Sequence, residues 1–325
     1  MMTKEVESVQ VSIGTAGVLG LASVTMEAAP TTAYLMLGGR CLMNCAFCTQ
    51  ARDSHASAQK LSRVTWPSFR LDRVAAALAE AVEHGTLRRA CLQVTFSDDA
   101  FLQALTVLQT VRTVCDVPFD VAILPRSLDE VRRLVAAGAD HVGFGLDAAC
   151  DRVFRNTKTG SWDRSVALIE AVAGEFPGHA AVHLIVGLGE TEAEMVERIQ
   201  WAHDLGVTVG LFAFTPVRGT HLADRTPPPL STYRRMQMAR WLVTHNVVRA
   251  EEMAFDTEGR LLSFGTRFAG ETPPGGDPFR TSGCPDCNRP FYNEQPGGTM
   301  YNYPLPLTEE EAERAVREME VETRC

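Results

Sequence analysis

The sequence predicts an α/β fold, a partial (β/α)6 TIM-like barrel left open on one side, with an N-terminal extension and an irregular C-terminal tail. Three observations predict it. Short apolar runs alternate six times with longer stretches of helical spacing, and right-handed crossovers convert such alternation into a parallel sheet wrapped by helices. The runs are continuous in hydrophobicity, as strands buried on both faces are. Six units also fall short of the eight that close a full barrel.

Residues 1–32 form the extension, where the small, glycine-containing Ser12–Leu21 stretch reads as a short helix or strand packed outside or beneath the main domain. Strand one is Ala33–Gly38, and its glycine pair leads into a cysteine loop at the strand's C-terminal end, where α/β folds place their chemistry. Next come a helix over Arg70–His84, strand two at Cys91–Phe96, a helix over Asp99–Val114 and strand three at Phe119–Leu124. Leu128–Ala137 is a helix closed by Gly138, and strand four is His141–Leu146. A helix at Trp162–Glu175, strand five at Ala181–Val186, a helix at Glu192–Leu205, strand six at Val207–Phe214 and a helix at Thr232–His245 complete the barrel, residues 33–246. The extension 247–325 changes composition at Thr272–Asp277. It ends in a helix that Thr308 caps, with acids in its first turn, running to near Cys325.

The chain of 325 residues carries a net charge of −9, which repels nucleic acid and anionic membrane on average. No run approaches the ~18 apolar residues of a membrane span, and the N-terminus lacks a basic region followed by an apolar one. We therefore expect a cytoplasmic protein with neither nucleic acid nor membrane as partner. The nine cysteines are clustered rather than spread as a disulfide framework, and in a reducing compartment such clusters are metal or redox ligands. Cys91, Cys115 and Cys150 stand alone and read as small buried apolar residues.

The chemistry begins at Cys41-Leu42-Met43-Asn44-Cys45-Ala46-Phe47-Cys48. Three thiols on one loop can hold three irons of a cubane cluster and leave the fourth free. Zinc would require a fourth ligand that nothing nearby supplies, and a dithiol redox pair would need only two cysteines. The motif resembles that of the radical SAM superfamily, whose members use an open barrel. The resemblance implies a [4Fe-4S] cluster on Cys41, Cys45 and Cys48, with Phe47 beside the cofactor. It also implies that S-adenosylmethionine chelates the free iron and that an external electron donor triggers formation of a 5′-deoxyadenosyl radical.

Further stretches extend the likeness. Val182 to Thr191 resembles the strand-five segment of biotin and lipoyl synthases, where Gly187 and Gly189 would let adenosine lie against backbone; on its own it reads equally as a tight turn with a helix cap. Asp147 to Val166 resembles the lipoyl synthase stretch after strand four. It offers Asp147 as a ribose partner, since a carboxylate accepts from two hydroxyls, and Arg155 for the cofactor's carboxylate or ribose. Phe214 to Thr220 resembles the strand-six turn on the adenine side and contributes Arg218, Gly219 and Thr220. Where many relatives carry Gly-Gly-Glu after strand two, this chain has Phe96-Ser97-Asp98-Asp99, so Ser97 and Asp98 would have to serve the amino group.

The tail carries Cys284-Pro285-Asp286-Cys287 and the terminal Cys325. By their residue types these three thiols could form an auxiliary iron-sulfur cluster, half of a zinc ribbon, or no site at all. Three-thiolate ligation would leave one iron exchangeable, with Ser282 a candidate fourth ligand. The tail, with Cys284–Pro290 and Tyr301–Pro304, resembles the lipoyl synthases that work as two cooperating proteins. That resemblance implies a second [4Fe-4S] cluster acting as sulfur donor to an octanoyl chain on a carrier lysine. The partners it implies are an octanoylated lipoyl carrier (glycine-cleavage H protein or dehydrogenase E2 domain) and a second radical SAM component. The tail is expected to fold over the barrel mouth. Other outcomes remain open: biotin-synthase-like thiolation of a small molecule, a mutase, or a non-catalytic iron-sulfur protein.

Overall fold

The computed structural model describes residues 5–268, 274–294 and 297–321. In chain order, β1 (Ser8–Val11) and α1 (Ile13–Val18) precede β2 (Thr32–Leu37). After the thiol loop come a hairpin of β3 (Lys60–Leu61) and β4 (Val64–Thr65), then β5 (Ser68–Arg70) and α2 (Leu71–Glu83). The barrel continues through β6 (Arg89–Val94), α3 (Ala100–Arg112), β7 (Phe119–Ala122), α4 (Leu128–Ala136) and β8 (His141–Asp147). It then runs through α5 (Asp151–Thr157), α6 (Trp162–Glu175), β9 (Ala180–Val186), α7 (Glu192–Asp204), β10 (Thr208–Ala213) and α8 (Leu230–Thr244). The tail adds β11 (Ala254–Phe255), β12 (Leu261–Ser263) and α9 (Glu309–Arg317).

Six strands, β2 and β6 to β10, pair in parallel in sequence order, and the sheet does not close on itself. Two departures concern its edge. The Ser12–Leu21 stretch forms the short helix α1, but ahead of it an unexpected strand, β1, joins the sheet antiparallel to β2, and β5 pairs antiparallel with β1. Both cover an edge whose backbone groups would otherwise lack partners. A short helix, α5, fills the stretch after β8 where no element was expected, and α9 stops at Arg317 instead of reaching the terminus.

Side-chain alternation gives the strands two different faces. Leu35, Leu92, Val121, Val142, Leu184 and Leu211 point outward into one continuous core beneath the helices. The opposite face carries Tyr34 and Met36, Cys91 and Gln93, Asp120 and Ala122, then His183 and Phe212. The interior is therefore the chemically varied face. Helix starts are set by their caps: Ser127 and Ser161 accept from Glu130 and Arg164 N–H, and Thr191 and Thr308 form reciprocal boxes with Glu194 and Glu311.

Among the described residues the tail does not fold over the barrel mouth as expected. It runs inside the open seam. Leu211 N–H on the β10 edge donates to Ser282 Oγ at 2.9 Å, and Asn293 Nδ2 donates to Ala213 O at 2.9 Å. The unpaired edge of an open barrel needs such partners, and the tail supplies them. Two buried arginines of α8 fasten the C-terminal part of the tail. Arg234 pairs with Glu318 at 2.8 Å and donates to Tyr301 O, while Arg235 pairs with Glu192 and donates to Met319 O.

Candidate active site

The thiol loop leaves β2 at its C-terminal end and is held on all sides by backbone hydrogen bonds. Cys41 N–H reaches Gln50 O at 2.8 Å, Leu42 N–H reaches Phe96 O at 2.8 Å, and Ala46 N–H reaches Thr157 O at 2.7 Å. Arg40 donates to Thr49 O and Ala56 O, and Gln50 Nε2 donates to Ala58 O and Lys60 O, which fixes the loop's return. Cys41, Cys45 and Cys48 then line one cavity of about 690 Å³ at the C-terminal ends of the strands. Backbone N–H groups meet the sulfurs: Phe96 and Met43 at Cys41 (3.3 and 3.4 Å) and Gln50 at Cys48 (3.4 Å). Donors of this kind stabilise thiolates on iron, so three preplaced sulfurs fit a cubane cluster with one open iron. Burial pushes the Cys48 thiol up to about 12 and raises Cys45 as well, so these two hold protons before metal binds. Loading must release those protons.

The cavity wall is largely apolar, with Leu61, Ile123, Leu146, Leu168, Ile185 and Phe212 among its residues. Its polar groups are few. Asp147 ends β8 in the left-handed region (φ +61°), beside a register shift between Phe144 and Asp147. Such a bulge re-aims a side chain at the cost of some strain. The carboxylate pairs with Lys158, which also reaches Gly145 O, and both side chains are largely buried. Burial pulls Lys158 down, but Asp147 and Cys45 hold it above its usual range, so the ammonium stays charged. His183, on the inward face of β9, is pushed down to about 4, first by burial, and stands neutral against Phe212.

The expected cofactor residues divide. Phe47 and Asp147 line the cavity with the three thiols. Ser97 lies just outside it, its carbonyl accepting from Arg126 at 3.0 Å, and Arg126 also pairs with the exposed Asp98. Arg155 pairs with Asp151 on the surface. Gly187 and Gly189 form the turn after β9, where the Glu190 carboxylate accepts from Gly187 and Leu188 N–H. Gly187 has φ +104°, and a Cβ there would come within 2.9 Å of Pro228. Gly219, at φ +92°, faces the Ala56 backbone with no room for a Cβ, while Thr220 Oγ1 donates to Val217 O and Arg218 is exposed. None of these last five lines the cavity in the described residues. Lys158, His183, Tyr292 and Asn293 line it although sequence reasoning did not single them out. Only Lys158 offered a signal, as the one lysine in the stretch that resembles lipoyl synthase.

At the other end of the strands, the Cys284–Cys287 turn docks against strand starts. Asp286 O accepts from Thr31 and Thr32 hydroxyls at 2.6 and 3.0 Å, and Pro285 O accepts from Arg89 Nε at 2.8 Å. From there the chain climbs the interior: Cys287 Sγ lies 3.4 Å from the Tyr34 hydroxyl, and Tyr292 and Asn293 reach the cavity itself. Two residues of strand, roughly 7 Å, separate the level of Tyr34 from that of Met36 on the cavity wall. Ser282, offered as a ligand, is engaged by Leu211 N–H. Cys325 lies outside the described residues.

Comparison with known proteins accords with this geometry. A family model described as the Radical SAM superfamily matches residues 35–202, from β2 into α7. The biotin synthase of Desulforudis audaxviator is 29% identical over 216 residues, covering 65% of this chain and 64% of that protein. Crystal structures of HydG, a maturase of the [FeFe]-hydrogenase, superpose with TM-scores of 0.51 and, for the Carboxydothermus hydrogenoformans protein, 0.50. At 11% and 15% identity, over 66% of this chain and about half of each maturase, they show a shared fold. The chain thus spans less than two thirds of these relatives. With the matched segment covering more than half of the sequence and the three thiols gathered at the barrel's C-terminal mouth, the chain belongs to the Radical SAM superfamily.

Proposed function

We propose that the chain is a lipoyl synthase component that inserts sulfur into an octanoyl chain borne on a carrier lysine. The observation that carries this reading is the placement of Cys284 and Cys287 inside the barrel, directly beneath the cavity that Cys41, Cys45 and Cys48 line. A substrate chain in that cavity would lie between two thiol sets, one on either side of the carbon to be changed. When bound, the upper cluster and S-adenosylmethionine supply the radical that removes hydrogen from C6 or C8, and the lower cluster supplies the sulfur that replaces it.

The chain's own residues perform the positioning. Cys41, Cys45 and Cys48 hold the upper cluster. Asp147 and Lys158, locked to each other, offer a carboxylate oxygen and an ammonium to the polar parts of S-adenosylmethionine at fixed places. Leu61, Ile123, Leu168, Ile185 and Phe212 suit an acyl chain and exclude water, which protects a reactive carbon centre. A neutral His183 adds no charge to this wall. The external partners in this reading are the octanoylated carrier, an electron donor, and a second radical SAM component for the other carbon.

The test incubates the anaerobically reconstituted protein with S-adenosylmethionine, reductant and an octanoylated carrier peptide, with and without candidate second components. A peptide gaining one sulfur, together with 5′-deoxyadenosine, is expected. Formation of 5′-deoxyadenosine without any thiolated peptide rules out the assignment. A second reading, thiolation of a free small molecule, is favoured by the biotin synthase likeness. It predicts a sulfur-containing product from a soluble alkyl- or acyl-bearing substrate and none from the carrier peptide.

A further inference from the structure

We propose that Cys91 is the third thiolate, with Cys284 and Cys287, of an iron-sulfur cluster held inside the lower barrel. The inference deepens the sulfur-insertion reading, on which it rests for the cluster's role. Its placement rests on the strands themselves. Cys91 sits on the inward face of β6, register partner of Tyr34 on one side and Asp120 on the other. Cys287 Sγ lies 3.4 Å from the Tyr34 hydroxyl, and Cys91 and Cys287 both pack against the buried group of Tyr34, Met36 and Trp66. Cys284 Sγ comes within 4.8 Å of ligand atoms on Asp120 and His141, the next inward residues along the same level of the sheet. Cys91 and Cys284 thus flank Asp120, and Cys91 and Cys287 flank Tyr34, which gathers the three at one level of the interior.

A second observation points to an anion at this place. Arg289 is drawn into the interior, its guanidinium 3.7 Å from the centre of the Phe212 ring and its Nη2 donating to Ser282 O at 2.6 Å. Its Nε is buried with no hydrogen-bond partner, and no carboxylate pairs with it among the described residues. Burying a guanidinium without an anion is costly, and so is an unmade hydrogen bond to it. The Arg289 backbone N–H donates to the Tyr34 hydroxyl at 2.8 Å, the same hydroxyl that lies 3.4 Å from Cys287 Sγ. A thiolate-bound cluster would supply both the charge and a sulfide acceptor.

The ligand chemistry separates iron-sulfur from zinc. Asp120 Oδ1 and His141 Nδ1 are already engaged, because Arg89 Nη1 lies 2.6 Å from Asp120 and 2.5 Å from Asp140, and His141 Nδ1 lies 3.1 Å from Asp120. The three thiols are the soft donors here, and thiolates are what iron-sulfur clusters take, whereas zinc would draw on Cys284 with His141. Zinc takes four ligands, whereas three thiolates complete a cubane with one exchangeable iron. By sequence Cys91 stands alone and reads as a small buried apolar residue, because Cys284 and Cys287 lie about 190 residues away and spacing alone cannot bring them together.

The experiment removes the upper thiols by Cys41→Ala, Cys45→Ala and Cys48→Ala, then reconstitutes the full chain anaerobically with iron and sulfide. About four irons per chain, with a cubane absorption and Mössbauer spectrum, are expected. Adding Cys91→Ser should abolish this iron or change its spectrum, while adding Cys325→Ser should do neither. Four irons with an unchanged spectrum in Cys91→Ser, or loss on Cys325→Ser alone, overturns the assignment, as does zinc in place of iron or a background that binds no iron. Cys91→Ser in the otherwise intact chain should keep the upper cluster's iron, which reports folding. Should that variant not fold, Cys284→Ser and Cys287→Ser together with a Cys91→Ala chain provide the same readout. Because metal content is read without substrate, failure here is distinct from failure to thiolate the carrier.

Discussion

Among single residues, the Asp147–Lys158 pair is the most exposed to test. Both side chains are largely buried on the cavity wall, so removing one strands the other's charge. Lys158→Met is expected to lower stability by about 3–5 kcal/mol in denaturant unfolding, and Asp147→Asn with Lys158→Met to recover much of it. His183 gives a pH signature. Burial depresses it to about 4, with Arg289 and Lys158 adding to the effect and Asp147 and Asp120 opposing it. Unfolded, it titrates near 6.5. Between those values the unfolded chain binds a proton that the folded one refuses, so the stability present above pH 6.5 declines as pH falls toward 4. Moving from pH 7 to 5 should cost wild type about 2 kcal/mol more than His183→Leu, measured by urea unfolding at both pH values. The three loop thiols were legible in the sequence because one short loop must present them together. His183 and Tyr292 were not, since each reaches the cavity only through the sheet's register or the path of the tail, and Lys158, at the end of α5, showed only as the one lysine of its stretch.

At the scale of elements, each expected strand and barrel helix appears within a few residues of its sequence bounds, because continuous apolar runs and capped helical patterns carry that information locally. What the patterns missed were short pieces set by their neighbours. The strands β1 and β5 have little apolar signal of their own and exist because they pair with β2 and with each other. The tail segment around Ser282 is similar. Its hydroxyl replaces the strand that a closed barrel would place beside β10. Ser282→Ala leaves the buried Leu211 N–H unpaired and should cost about 1–3 kcal/mol, read as a shift in the unfolding midpoint with helix content unchanged. An unchanged midpoint would mean that another group takes over this edge.

For the molecule as a whole, the tail belongs to the barrel. It pairs with the β10 edge, contributes Tyr292 and Asn293 to the cavity wall, and is clamped from outside by Arg234 and Arg235. A chain ending at residue 246 would expose the interior and an unpaired strand edge. We expect it to be aggregation-prone and to bind a hydrophobic dye, as judged by light scattering and fluorescence beside the full chain. A soluble fragment with a cooperative melt would show that the barrel stands without its tail. No helix among the described residues is long and apolar enough to cross a membrane.

The sequence by itself determined the open six-unit barrel and the superfamily, because a strand, its glycine turn and a three-thiol loop are contiguous signals read within a few tens of residues. Only the tertiary structure decided where the tail goes. An open sheet must satisfy its free edge, and doing so carries Cys284 and Cys287 beneath the cavity, beside Cys91, instead of over the mouth. That placement comes from pairing between residues far apart in the chain, which no local pattern encodes.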